Sequence, residues 1–117
     1  PAAGAFNGRG ELFVSDALQH RILAHDREGA YERAVGSRGT AEGQFHRPSG
    51  LAFTSAGELV VVDKGNNRVQ VLDGDGIFLR SIGSFGHFQG RFDNPSGVCV
   101  GGDGSIVVSD RWNRRVE

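Results

Sequence analysis

The chain has 117 residues, 38% of them hydrophobic, a share that supports a packed core and excludes a disordered tail. Thirteen Lys and Arg against fourteen Asp and Glu leave a net charge of −1, so bulk charge selects no partner and any affinity for a polyanion must come from a local patch. No apolar run approaches the roughly 18–20 residues of a membrane span, and a single cysteine, Cys99, excludes an internal disulfide.

The amino-terminal stretch PAAGAFNGRG lacks the apolar run of a signal peptide. From there the chain alternates short runs of β-branched, aromatic and aliphatic residues with Gly, Asp, Asn and Ser, and no window sustains a helical period. In the middle of the chain, strands are expected near 49–54, 58–63, 68–73 and 77–82. TSAG and DGDG supply hairpin-turn chemistry between them. The run LVVV is apolar on successive residues, which suits a strand covered on both faces. Nineteen glycines agree with many tight turns, because glycine supplies the positive φ that such turns need.

The same order of elements recurs every 47 residues. Residues 1–47 and 48–94 are identical at 17 positions, and residues 48–70 and 95–117 at 10, without a gap. Pro1, Pro48 and Pro95 fall in register, as do Gly10, Gly57 and Gly104, and Phe45 and Phe92. The expected organisation is therefore a first unit at 1–47, a second at 48–94, and the first half of a third at 95–117. Four strands in a unit of 40–50 residues point to an all-β fold of four-stranded antiparallel β-propeller blades.

These residues also carry a family resemblance. The stretch from Arg47 to Val98 resembles NHL repeats in its Pro-x-Gly opening, its Gly-x-hydrophobic-hydrophobic-x-x-Asp strand, its Asn-Arg-hydrophobic strand and its closing Gly-Ser-x-Gly…Gly-x-Phe loop. The resemblance implies a six-bladed propeller of the kind found at the carboxy-terminus of tripartite-motif (TRIM) proteins. There it recognises RNA or protein partners and forms the substrate-selecting end of a ubiquitin ligase. Six units would need roughly 280 residues, so two and a half units form part of a ring, with the remaining blades expected from a longer parent. The lone cysteine fits a reducing compartment and hence a cytoplasmic location.

Asp16, Asp63 and Asp110 share one repeat position, and Arg21, Arg68 and Arg115 another. Residues constant across repeats are expected to be scaffold, pairing with each other or fixing turn amides. Asp63 and Arg68 flank one turn, which offers a single acid where a metal loop would need several converging oxygens, so no metal and no cofactor are expected. His20, His25, His46 and His87 occupy unrelated repeat positions, and no nucleophile elbow, phosphate loop or zinc motif is present. The chain is expected to be non-catalytic. The competing enzyme reading, a lyase-like or hydrolase-like site in a propeller channel, has no residue set here to carry it.

In an up-and-down blade, the turns between the second and third strands share a face with the loops that join blades. On that face the segments 15–21, 36–48, 62–68, 83–95 and 109–115 sum to +4, whereas the turns of the opposite face sum to −3. Residues that vary between repeats sharpen the contrast: Ala17, Lys64 and Arg111 at one position, Leu18, Gly65 and Trp112 at the next, and His20, Asn67 and Arg114 two further on. Lys64, Asn67, His87, Arg91, Arg111, Trp112 and Arg114 are thus the candidate ligand-binding residues. Cations interleaved with rings suit single-stranded RNA, where cations meet phosphates and rings stack on bases. A protein partner on the same face is the alternative.

Overall fold

A computed structural model describes residues 4–82, 95–100 and 106–110. Strands β1 (Gly4–Phe6), β2 (Leu12–Asp16), β3 (Arg21–His25) and β4 (Tyr31–Val35) form one four-stranded antiparallel sheet in sequential order. A loop follows, in which β5 (Ser37–Arg38) and β6 (Gln44–Phe45) make a short parallel pair. Strands β7 (Pro48–Phe53), β8 (Leu59–Asp63), β9 (Arg68–Leu72) and β10 (Phe78–Ile82) form the second four-stranded sheet in the same meander. Strands β11 (Pro95–Val100) and β12 (Ile106–Asp110) pair antiparallel and begin a third. Helical structure among the described residues is one 3₁₀ turn, Lys64–Asn66. The fold is all-β, built of propeller-like four-stranded blades.

The hairpins close by a repeated device. Asp26 Oδ1 accepts the N–H groups of Glu28 and Ala30, and Asp73 Oδ1 accepts those of Asp75 and Ile77, all at 2.9–3.0 Å. Each acid mimics one more backbone carbonyl and holds the turn shut. Gly29 and Gly76 complete these turns at φ near +87° and +88°, where a side chain would clash with its own backbone.

Strand alternation then sets the packing. In β8, Leu59 and Val61 point toward the first blade and join Phe13, Ile22, Ala24, Val35, Phe45, Leu51 and Leu72 in one core. Val60 and Val62 point the other way and pack with Val69 and Val71, against which Ile82, Val98, Val100 and Ile106 lie. Every residue of β8 is buried. The unbroken apolar run is thus read twice, once by each neighbour, because successive side chains leave a strand on opposite faces. In β2 burial alternates instead: Phe13 and Ser15 are buried against the second blade, and Leu12, Val14 and Asp16 are half-buried on the other face.

Phe45, fully buried, is the largest side chain that the connecting loop contributes to the core. Phe45→Ala is expected to lower the unfolding free energy by about 3–5 kcal/mol, the usual cost of removing a buried ring and leaving a cavity. Leu18→Ala, at a side chain 92% exposed, is expected to change it by less than about 0.5 kcal/mol. Urea denaturation of both variants checks the pair.

Candidate functional site

The candidate face includes the junction of the first two blades, where the loop 36–47 lies against the turn between β8 and β9. The two are joined through Asp63. Its side chain is fully buried. Oδ1 accepts the His46 N–H at 2.7 Å, and Oδ2 accepts Asn66 Nδ2 at 2.8 Å, Arg68 Nε at 2.8 Å and Gln70 Nε2 at 3.2 Å. Arg68 in turn donates to three backbone carbonyls of the loop: Thr40 at 2.9 Å, Ala41 at 2.9 Å and Gln44 at 2.8 Å. Gln70 donates to the Gln44 carbonyl at 2.6 Å and accepts the Gly43 N–H at 2.9 Å; Asn66 donates to the Gly39 carbonyl at 2.9 Å. The loop lacks a full set of backbone partners of its own, and these four side chains supply them. Asp63 and Arg68 are the pair expected from their repeat positions, and they hold the loop between blades as well as their own turn.

Close approach adds a second constraint. The Gly65 N–H donates to the His46 carbonyl at 2.7 Å, and a Cβ at Gly65 would collide with His46. The alternation of Leu18, Gly65 and Trp112 at this position therefore has a steric component at Gly65. Leu18, in the first blade, stands almost fully exposed. Asn67 caps the 3₁₀ turn in the left-handed region, with φ 52°, and donates its N–H to the Lys64 carbonyl at 3.1 Å. Asparagine tolerates that region well, so its presence has a backbone cause of its own.

His20 holds the equivalent position in the first blade, also left-handed at φ 58°. Its Nδ1 accepts the Arg47 N–H at 2.9 Å, which places the ring proton on Nε2, and its ring stacks on His46 with centroids 5.1 Å apart. A shallow pocket of about 180 Å³ opens beside it, lined by Arg38, Gly39, Thr40, His46 and Asn66. Arg38 is exposed and is the one Lys or Arg among the pocket-lining residues, which include no acid; Arg47, also exposed, and Lys64, half-buried, follow or precede lining residues in sequence. Desolvation, followed by the charges of Arg38, His46 and Arg47, holds the His20 imidazolium below its ordinary range.

Of the seven ligand-binding residues expected from sequence, Lys64 and Asn67 lie in this turn. His87, Arg91, Arg111, Trp112 and Arg114 lie outside the described residues, as does Arg115; Asp110 closes β12. Arg38, His46 and Arg47 belong to the segment 36–48 that the sequence placed on this face, but they were not among the candidate ligand-binding residues, although they stand at positions that change between repeats. Among the described residues, no group of three or more His, Cys, Asp or Glu side chains could hold a metal ion, and no helix is long and apolar enough to cross a membrane.

Two outcomes test the geometry. Asp63→Ala removes the buried anion and strands Arg68 among carbonyls. It is expected to cost about 3–5 kcal/mol in chemical denaturation, as does breaking other buried pairs. Second, a raised unfolded-state affinity for the proton makes His20 favour folding at higher pH. Its contribution is complete above the unfolded value near 6.5 and is lost as pH falls through the lower folded value. Protonation also puts a hydrogen on Nδ1, opposite the Arg47 N–H. An NMR titration is expected to show His20 titrating below 6.5, with the Arg47 amide shifting in step.

Comparison with known proteins places the blades. The NHL repeat model matches residues 45–72 and 92–117. No curated protein matches the chain. Among solved structures, the chain is similar to a streptogramin B lyase, with a TM-score of 0.73 and 16% identity over 99% of this chain and 36% of that one. It is also similar to an auxiliary nutrient binding protein from Bacteroides thetaiotaomicron, with a TM-score of 0.73 and 17% identity over 97% of this chain and 35% of that one. A third is the hydrazine synthase of Kuenenia stuttgartiensis, with a TM-score of 0.68 and 20% identity over 98% of this chain and 34% of that one. The chain spans about a third of the length of each, and at these identities the likeness is one of fold. The NHL repeat model thus covers the second unit's first half and the chain's last 26 residues, and the chain folds as blades of the β-propeller type.

Proposed function

We propose that the chain is part of a non-catalytic interaction platform that binds a protein partner through the face formed by the loop 36–47 and the turn 63–68. NHL propellers are in general protein-interaction modules, and the arrangement here is consistent with that use. The observation that carries the reading is the pocket at the blade junction. Its backbone is fixed by the Asp63 and Arg68 bonds, Arg38 lines it, and Arg47 and Lys64 stand next to or near its lining residues His46 and Asn66 in sequence. A site whose backbone is already ordered, with Arg38 on its lining, suits a partner segment that brings a carboxylate, because the cost of ordering the site has been met in folding.

A second reading, RNA, is favoured by the interleaving of Arg111, Trp112 and Arg114 in the corresponding turn of the third repeat, with Arg91 in the loop before it. In that reading phosphates meet the cations and an unpaired base stacks on Trp112.

One titration series separates the two. Fluorescence anisotropy is measured with an acidic peptide and with a short single-stranded RNA, each at several salt concentrations. A protein-directed face is expected to bind the peptide, with Arg38→Ala and Lys64→Ala each weakening it and Asp75→Ala, on the opposite face, doing little. An RNA-directed face is expected to lose about one unit of salt slope in Lys64→Ala, and on the order of 1–3 kcal/mol in Trp112→Ala with the slope nearly unchanged. Failure of both probes to bind, or binding that depends on Asp75 rather than Arg38, overturns the proposed face.

A further inference from the structure

Among the described residues, the non-glycine positions in the left-handed region are His20 at φ 58°, Arg47 at 52° and Asn67 at 52°. His20 and Asn67 hold equivalent places in their turns, and histidine and asparagine enter that region more readily than most side chains. Arg47 has no such tolerance. It also stands directly before Pro48, whose ring drives the preceding residue toward extended backbone. A strained corner persists only where its surroundings hold it, and such corners gather at binding and switching sites.

The holding groups can be named. Toward the second blade, Asp63 Oδ1 accepts the His46 N–H, the His46 carbonyl accepts the Gly65 N–H, and Pro48 opens β7 opposite Asp63. Toward the first blade, the Arg47 N–H donates to His20 Nδ1 at 2.9 Å. The His20 ring also stacks on that of His46, with planes 27° from parallel, and His46 lines the pocket together with Arg38, Gly39, Thr40 and Asn66. One imidazole thus pins a strained corner with a nitrogen and backs a pocket wall with its face.

Only the neutral ring can do this. Protonation places a hydrogen on Nδ1, so that an acceptor becomes a donor and two N–H groups oppose each other. It also puts a positive charge among Arg38, His46 and Arg47 of the loop, with Asp16 of its own turn as the opposing charge. We propose that His20 is a proton-operated latch: neutral, it holds the Arg47 corner in its left-handed form and His46 in the pocket wall, and protonated, it releases both. The Ser15 hydroxyl, which donates to the Ser49 carbonyl at 3.1 Å, does not titrate, so β2 stays against β7 and the opening is confined to the corner. Desolvation, then the charges of Arg38, His46 and Arg47, hold the ring's pKa below its ordinary 6.5, so the latch is closed at neutral pH and opens in mild acid. For a partner at the pocket the consequence is affinity lost on acidification. That consequence rests on the interaction-platform reading; the latch itself does not.

The test compares the chain with His20→Asn, which puts in the turn the residue that the second blade carries in the equivalent left-handed place, and with His46→Gln, which removes the other imidazole. NMR spectra are followed from about pH 7.5 to about pH 5, across the range in which imidazoles titrate. As His20 Nδ1 takes up its proton, the Arg47 amide–α coupling and α-carbon shift are expected to leave their left-handed values, and the ring-to-ring contact with His46 to vanish. In His20→Asn the Arg47 signals are expected to stay constant, and in His46→Gln still to move. A left-handed Arg47 beside a protonated His20, or an Arg47 response that survives His20→Asn, overturns the latch. Anisotropy with the acidic peptide, whose carboxylates stay largely ionised over this range, is expected to show affinity falling by at most about tenfold per pH unit, the limit for one proton, and constant affinity in His20→Asn. Affinity that rises on acidification, or falls equally in His20→Asn, overturns the link between latch and pocket. Absence of peptide binding at every pH overturns the platform reading, and the Arg47 signals then decide the latch alone.

Discussion

One buried carboxylate organises the described part of this molecule. Asp63 is sealed from solvent, and an isolated charge there would be untenable, so the structure surrounds it with donors from Arg68, Asn66, Gln70 and the His46 amide. Arg68 then has donor capacity left over, and spends it on the Thr40, Ala41 and Gln44 carbonyls of the connecting loop. The ion pair is local in sequence, five residues apart, yet its effect is non-local, because the loop it captures leads out of the neighbouring blade. Phe45 of that loop enters the core, and Arg38, Gly39, Thr40 and His46 of the same loop line the pocket. Packing, blade order and the candidate binding face thus rest on the same few bonds.

Much of this was legible beforehand for a simple reason: a repeat prints its constraints more than once. The 47-residue register set Asp63 and Arg68 apart as repeated positions, and strand periodicity placed the elements of the second blade within a residue or two of where they stand. The run at 59–62 signalled two covered faces because no polar residue interrupts the alternation. The site was less legible. A side chain that binds a backbone carbonyl leaves no mark at the carbonyl's position, so the targets of Arg68 at Thr40, Ala41 and Gln44 cannot be read from their identities. Gly65 looked like one member of a variable set until His46 was seen to lie against it. Variation between repeats therefore mixes two causes, partner recognition and local fit, and only geometry separates them.

The likeness to a lyase, a nutrient binding protein and a hydrazine synthase is instructive at the level of architecture. A blade buries its apolar faces and exposes its turns, so the turns can change chemistry without disturbing the core. In this chain the acidic Asx turns at Asp26 and Asp73 close one set of hairpins, and the loop 36–47 runs at the other end of the sheet. Turn closure and loop capture are thus divided between the two ends of the sheet.

The twofold burial of β8 has a consequence for how the molecule comes apart. Stacked repeats generally behave as a row of units coupled only to their neighbours, each able to open with modest help from the next. Here Leu59 and Val61 belong to one core while Val60 and Val62 belong to the other, on a single rigid strand. Neither core can loosen without tugging at the backbone of the second. The strand acts as a shared wall rather than a partition, and it turns what would be a zipper of separate blades into one block that yields together.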